Sequence, residues 1–300
     1  MSKINWEDYK YINIIDHEKN EIKDLPDGLT ISTMCASAKL NSLVNIVSIE
    51  KYLQLDEDDV ICVKLNNDNK RTLIQTKVKN RRQKKKEKKE FHFFNQITVV
   101  IRVFHGIVKD WDTEPKINLK LFKNGSIQMS GCKSLKFVNI VLNKLIVKLS
   151  QIKAKIEDNK IQEIKFIDNT EPLAIISFKV DMINSNYKVN MQIDRTKLYN
   201  LLIKKKIKSS FEPCIRACVI IKYTPSENND EEKEISVFVF QKGNIIITGA
   251  RTRNHILSAS KYINNILLTH IDEISKKDEK DEEDLILKLH NTVIKENSLY

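Results

Sequence analysis

Apolar residues recur along this chain in two rhythms. In the stretches Leu119-Lys120-Leu121-Phe122 and Val237-Phe238-Val239-Phe240 they fall at or near every second position. Each stretch meets a short glycine turn, Asn124-Gly125 or Lys242-Gly243, and a second stretch around Ile127 and Met129 or Ile245 and Ile247 follows. A period of two closed by such a turn predicts a β-hairpin. Each hairpin then runs into spacing three and four. Leu135, Val138, Leu142, Leu145 and Leu149 form one series, and Ile256, Ala259, Ile263 and Leu267 the other. That spacing predicts amphipathic helices, with Ser134 and Thr252 as N-caps.

The two blocks are copies of one unit. Phe122, Gly125, Ile127 and Gly131 recur as Phe240, Gly243, Ile245 and Gly249, always 118 positions on, and Ser130 and Lys133 meet Thr248 and Arg251. Upstream, Val99-Val100-Ile101-Arg102-Val103 parallels Val219-Ile220-Ile221-Lys222-Tyr223 at an offset of 120. Further up, 30–34 parallels 183–187, which sets Ile31 opposite Asn184 at an offset of 153, and helices are expected at about 40–53 and 196–206. Each copy thus reads strand, helix, strand, strand, strand, helix. The change of offset implies about 33 extra residues in the first copy (153 minus 120), assigned to a basic insertion at about 66–95. The expected organisation is an extension over 1–27, copy one over 28–152, copy two over 165–271, and a charged tail over 272–300.

Composition narrows the class. The chain has 300 residues, 41% apolar and 30% charged, ordinary proportions for a globular protein. No apolar run approaches the roughly 18 residues of a membrane span, and the first residues carry no secretory pattern, so a soluble intracellular protein is expected. Cys35, Cys62, Cys132, Cys214 and Cys218 form no CxxC pair, so neither a metal site nor a disulfide framework is expected. Formal net charge is +11, of which +7 lies in 77–90, where nine Lys/Arg stand against two Glu. That segment reads as a phosphate-binding arm, an import signal or a solvated loop. No nucleotide loop, metalloprotease or serine-hydrolase motif is present, so an enzyme is not expected and no cofactor is implied.

The duplicated pattern resembles the TATA-box-binding protein family. Phe240-Gln241-Lys242-Gly243-Asn244-Ile245-Ile246-Ile247-Thr248-Gly249-Ala250-Arg251 resembles the family's Phe-x-x-Gly signature ending in Thr-Gly-Ala-Lys. Phe122 to Lys133 fits it with Ser130 and Cys132 in place of Thr and Ala, and Phe211-Glu212-Pro213 resembles the family's Tyr-Glu-Pro. The resemblance spans about 28–271. It implies an α+β saddle of two pseudo-symmetric repeats, whose curved antiparallel sheet lies on the DNA minor groove while helices cover the convex face. The divergence, the insertion and the A·T-biased composition resemble a version from a large DNA virus. A viral factory in host cytoplasm, the host nucleus, and packaging in the virion are the locations that this implies.

The resemblance assigns roles residue by residue. Phe122 and Phe240 match wedges that kink the duplex. The family's second wedge in each copy falls on Gln96 and Arg216, unless the register slips by two or three residues to Phe93 or Phe94. Ile31, Gln128, Ser130, Asn184, Ile246 and Thr248 are expected on the DNA face. The family's paired asparagines fall on Leu29 and Met182. Arg102, Lys222, Lys133 and Arg251 match basic positions near phosphate. Glu212 and Pro213 match a contact for a TFIIB-like factor. The implied partners are A·T-rich double-stranded promoter DNA, that factor and RNA polymerase, with a monomer on DNA. Two other readings stay open: a protein adaptor that has lost DNA binding, and a basic-arm binder without sequence preference.

Overall fold

The computed structural model describes residues 22, 24–65, 69–74, 95–108, 110–157, 160–168, 171–225 and 234–276. The fold is α+β, and the chain divides into two compact units. The first takes in Ile31–Ile183, the second Asp24–Thr30 together with Asn184 onward.

The first unit holds β1 (Thr30–Leu40), α1 (Ile46–Tyr52), β2 (Val60–Lys64), β3 (Lys70–Thr72), β4 (Gln96–Arg102), β5 (Lys116–Phe122), β6 (Ser126–Cys132) and α2 (Leu135–Leu149). The hairpin β7 (Lys153–Glu157) and β8 (Lys160–Ile164) follows, then most of β9 (Ile175–Lys188). Its sheet order is β9-β1-β6-β5-β4-β2-β3, and every partner pair with a resolved register is antiparallel. The second unit holds the end of β9, α3 (Arg195–Lys204), β10 (Ser209–Ser210), β11 (Cys218–Tyr223), β12 (Ile235–Phe240), β13 (Asn244–Ala250), α4 (Arg253–Thr269) and α5 (Ile271–Ile274), in the order β10-β11-β12-β13-β9.

The predicted helices form where their apolar stripes need a partner. Ser134 Oγ accepts from the Phe137 N–H and Thr252 Oγ1 from the His255 N–H, the two expected caps. Leu135, Val138, Leu142, Leu145 and Leu149 of α2, and Ile256, Ala259, Ile263 and Leu267 of α4, are buried on their own sheets. Among the described residues no helix is long and apolar enough to cross a membrane.

Three expectations need correction. The insertion does not wholly stand apart from the core: Lys70–Thr72 pairs with β2 as an edge strand, and Ile74 packs on Ile61, Cys62 and Val100. The tail does not begin at 272, because Ile274 is fully buried, its carbonyl accepts from the Asp194 N–H at 2.7 Å, and the Lys276 N–H donates to the Gln192 carbonyl. The first helix is shorter than 40–53, since β1 runs on to Leu40. The segments 75–94 and 277–300, with Leu285, Leu287 and Leu289, lie outside the described residues.

Candidate nucleic-acid interface

Strand side chains alternate between two faces, and burial identifies which face the helices cover. In the first unit Ile97, Val99, Ile117, Leu119, Leu121, Ile127 and Met129 are buried beneath them. The opposite, open face carries Gln96, Thr98, Asn118, Lys120, Phe122, Gln128 and Ser130. In the second unit Val219, Ile221, Val237, Val239, Ile245 and Ile247 are buried beneath them, and Ser236, Phe238, Phe240, Ile246 and Thr248 share the opposite face with Ile220, which is itself buried there. Along β1 Met34, Ala36, Ala38 and Leu40 are buried, so Cys35 and Ser37 lie on the open face, while Ile31 precedes the register shift at Met34/Cys35 and is half-buried. Along β9 Ser185 is buried and the Tyr187 hydroxyl donates to Asn264 of α4, so Asn184 faces the other way, where its Oδ1 accepts from Thr248 Oγ1.

Phe122 and Phe240 end the first strands of the two hairpins. Gly125 and Gly243 donate their N–H to those phenylalanine carbonyls at 2.9 and 3.0 Å. Both glycines have positive φ (82° and 78°). A Cβ would come within 2.2 Å of the Ser42 carbonyl oxygen in one copy and 2.3 Å of the Val189 carbonyl oxygen in the other, so only glycine fits.

The hydrogen-bond register revises the alignment of the copies. Gln96 pairs with Phe122, and Cys218 with Phe240. The middle strands are therefore 122 apart (218 minus 96), where the sequence reading had 120. Leu40 and Val189 donate to the Gly125 and Gly243 carbonyls, and Asn45 and Asp194 cap the following helices, so the first strands are 149 apart (194 minus 45) rather than 153. It follows that Asn184 is the counterpart of Cys35, not of Ile31. Met182 is the counterpart of Thr33, while Leu29 is buried. Arg102 corresponds to Thr224, and Lys222 to Val100. Arg216 has no tie to Gln96; its counterpart by count is Phe94, the slip of two residues left open above, which lies outside the described residues.

The basic positions part company. Arg102 is 2% exposed. Its Nε donates to Glu114 at 2.6 Å and its Nη1 to the Gly106 carbonyl at 2.7 Å and the Glu57 carbonyl at 3.1 Å, with Asp58 at 3.4 Å. It is an internal tie, which overturns its expected place beside phosphate. Buried Lys144 of α2 extends the tie through the Asp58 and Arg102 carbonyls at 2.6 and 3.0 Å, and burial pushes its pKa down. Lys222 is half-buried and paired with Glu234 at 2.9 Å. Lys208 and Lys222 hold the Glu234 carboxyl below its ordinary range. Lys133 and Arg251 are exposed just before the helix caps. Arg216, Glu212 and Pro213 are exposed on one turn, where the Glu212 carbonyl accepts from the Ile215 and Arg216 N–H groups.

Residues not singled out from sequence complete the open faces. Phe238 pairs with Ile220 on one side and Ile246 on the other, an apolar row across the second unit. Its counterpart in the first unit is Thr98, Lys120 and Gln128, a polar row. The signal was present, since Phe238 and Lys120 stand two before the turn phenylalanines and so share their face.

Two α+β copies, each with helices on one sheet face and a phenylalanine beside its glycine turn on the other, define a tandem-repeat protein of the kind that the sequence resembled. Residues 177–270 match the family model described as transcription factor TFIID, or TATA-binding protein. Over 259 residues, 82% of this chain and 67% of the relative, the sequence is 36% identical to a TATA-box-binding protein-like protein of Acanthamoeba polyphaga mimivirus. Methanococcus jannaschii TBP superimposes with a TM-score of 0.47 at 15% identity, over 79% of this chain and 96% of that one. The chain belongs to the TATA-box-binding protein family. It is a divergent member of viral type, a DNA-binding transcription factor with a place among transcription machinery.

Proposed function

We propose that the chain binds the minor groove of A·T-rich, TATA-like promoter DNA through the open sheet faces, bends it, and nucleates a preinitiation complex. The observation that carries this is the placing of Phe122 and Phe240. Both occupy the same position at a hairpin turn, on the face that the helices leave uncovered. The minor groove offers a poor hydrogen-bond code and is read chiefly through shape and deformability. An apolar edge inserted at a base step unstacks it, at a few kcal/mol, and the bent duplex offsets that cost with a larger contact surface. Phe240, with Phe238, Ile220 and Ile246 beside it, has the composition for such a contact. Lys133 and Arg251 would set register on phosphates. Exposed Glu212 and Pro213 would meet a TFIIB-like factor, through which RNA polymerase is recruited.

The test is bending and affinity by energy transfer on a short A·T-rich duplex and a G·C-rich one, at two salt concentrations. The wild type should prefer the A·T-rich duplex and bend it. Phe122→Ala/Phe240→Ala should abolish the bend and weaken binding by more than about tenfold, the scale of a lost unstacking contact. Sequence-blind, strongly salt-dependent binding without a bend would assign binding to the basic segment. No binding at all would make the chain a protein adaptor.

A further inference from the structure

We infer that the two copies read their half-sites by different chemistry, and that Thr98, Lys120 and Gln128 form a hydrogen-bonding reader which lets the half-site under the first copy accept G·C pairs. This rests on the minor-groove reading above. The three side chains are direct cross-strand neighbours on the open face, Thr98 opposite Lys120 and Lys120 opposite Gln128. Neighbours in such a row hold their Cβ atoms about 5 Å apart, close enough to act on adjoining base edges. Lys120 and Gln128 are exposed, and among the described residues no hydrogen bond or ion pair engages the side chain of any of the three. Their polar groups are therefore available, unlike those of Arg102 or Lys222.

The counterpart row, Ile220, Phe238 and Ile246, has no side-chain donor or acceptor. The contrast matters because of what a minor groove displays. A·T pairs show only acceptors, and G·C pairs add the guanine 2-amino donor. An apolar row pressed on that amino group leaves a buried donor unpaired, so the second copy should reject G·C. Gln128 Oε1 can accept from the amino group, while its Nε2, the Lys120 ammonium and the Thr98 hydroxyl donate to base acceptors. The first copy should therefore tolerate G·C where the second does not.

Selection of binding sites from a randomised duplex pool, with the full chain, tests this. The wild type should yield a site with one A·T-restricted half and one half that admits G·C. Thr98→Ile/Lys120→Leu/Gln128→Ile gives the first copy the second copy's kind of row. It should restrict the tolerant half alone, with discrimination against G·C there rising about tenfold, the scale of one good base-edge contact. Gln128→Glu, which keeps the acceptor and removes the amide donor, should retain the tolerance. Two symmetric wild-type halves, or a triple variant with an unchanged consensus despite native stability, would overturn the inference while leaving minor-groove binding in place. A uniform loss on every sequence, with a salt slope lower by about one, would also overturn it, because Lys120 would then be touching phosphate. A wild type that selects no sequence would overturn this inference and the proposed function together.

Discussion

Among the residues, two basic side chains that the sequence placed alike beside phosphate stand in opposite surroundings. Arg102 is sealed among Glu114, Asp58 and two carbonyls, whereas Lys133 stands in solvent. Arg102→Met should cost about 3 kcal/mol in urea unfolding, because it strands the half-buried Glu114 carboxylate and two carbonyls without their partner. Lys133→Ala should leave the urea midpoint unchanged and lower the salt slope of DNA binding by about one. Exchange of those two outcomes would reverse the roles. Asp58 adds a pH signature. Burial raises its pKa, but the Gly106 N–H, His105 and Arg102 outweigh that and hold it below the ordinary 3.8. A depressed carboxyl contributes stability above its unfolded pKa, and that contribution is lost as pH falls through the folded value. The gap in unfolding midpoint between wild type and Asp58→Asn should thus narrow as pH falls below about 4; a gap that stayed unchanged there would refute the assignment.

For the elements, the glycine turns govern register, and that is where sequence was most and least legible. The hairpins and following helices could be read because turn, alternation and cap occur together: Phe122 and Gly125 recur 118 positions on, and Ser134 is matched there by Thr252. Elsewhere the reading failed for a physical reason. Val99-Val100-Ile101 and Val219-Ile220-Ile221 are apolar on both faces, so a slip of two residues leaves the pattern intact and only the ladder fixes it. The same slip made Arg102 look like Lys222 and hid Phe94 behind Gln96. β3 was lost because Lys70-Arg71-Thr72 is polar and gains its place solely as an edge strand on β2. Gly243→Ala tests the turn directly. With φ at 78° and the Val189 and Met191 carbonyl oxygens 2.3 and 2.7 Å from the new Cβ, it should cost more than about 2 kcal/mol. An unaltered unfolding midpoint would mean that the first strand is not tied to this turn.

On the scale of the molecule, the two proposed routes to DNA, charge and shape, are separable by experiment. The segment 77–90 carries +7 of the formal +11, so the remaining 286 residues hold only +4. The open faces, by contrast, are mixed polar and apolar, with Phe238, Phe240 and Ile246 in one unit and Lys120 and Gln128 in the other. Basic charge attracts every duplex equally and loses strength as salt rises, by about 0.9 in the log–log slope per phosphate neutralised. A sheet pressed into a groove gains instead from a deformable sequence, a term that salt affects little. Deletion of 77–90 should therefore lower affinity for A·T-rich and G·C-rich duplexes by the same factor and flatten the salt dependence, with their affinity ratio and the bend preserved. Competition binding at 50 and 200 mM salt checks both quantities at once. If the ratio falls to one in the deletion variant, sequence preference resides in the basic segment, and the open faces serve protein partners rather than DNA.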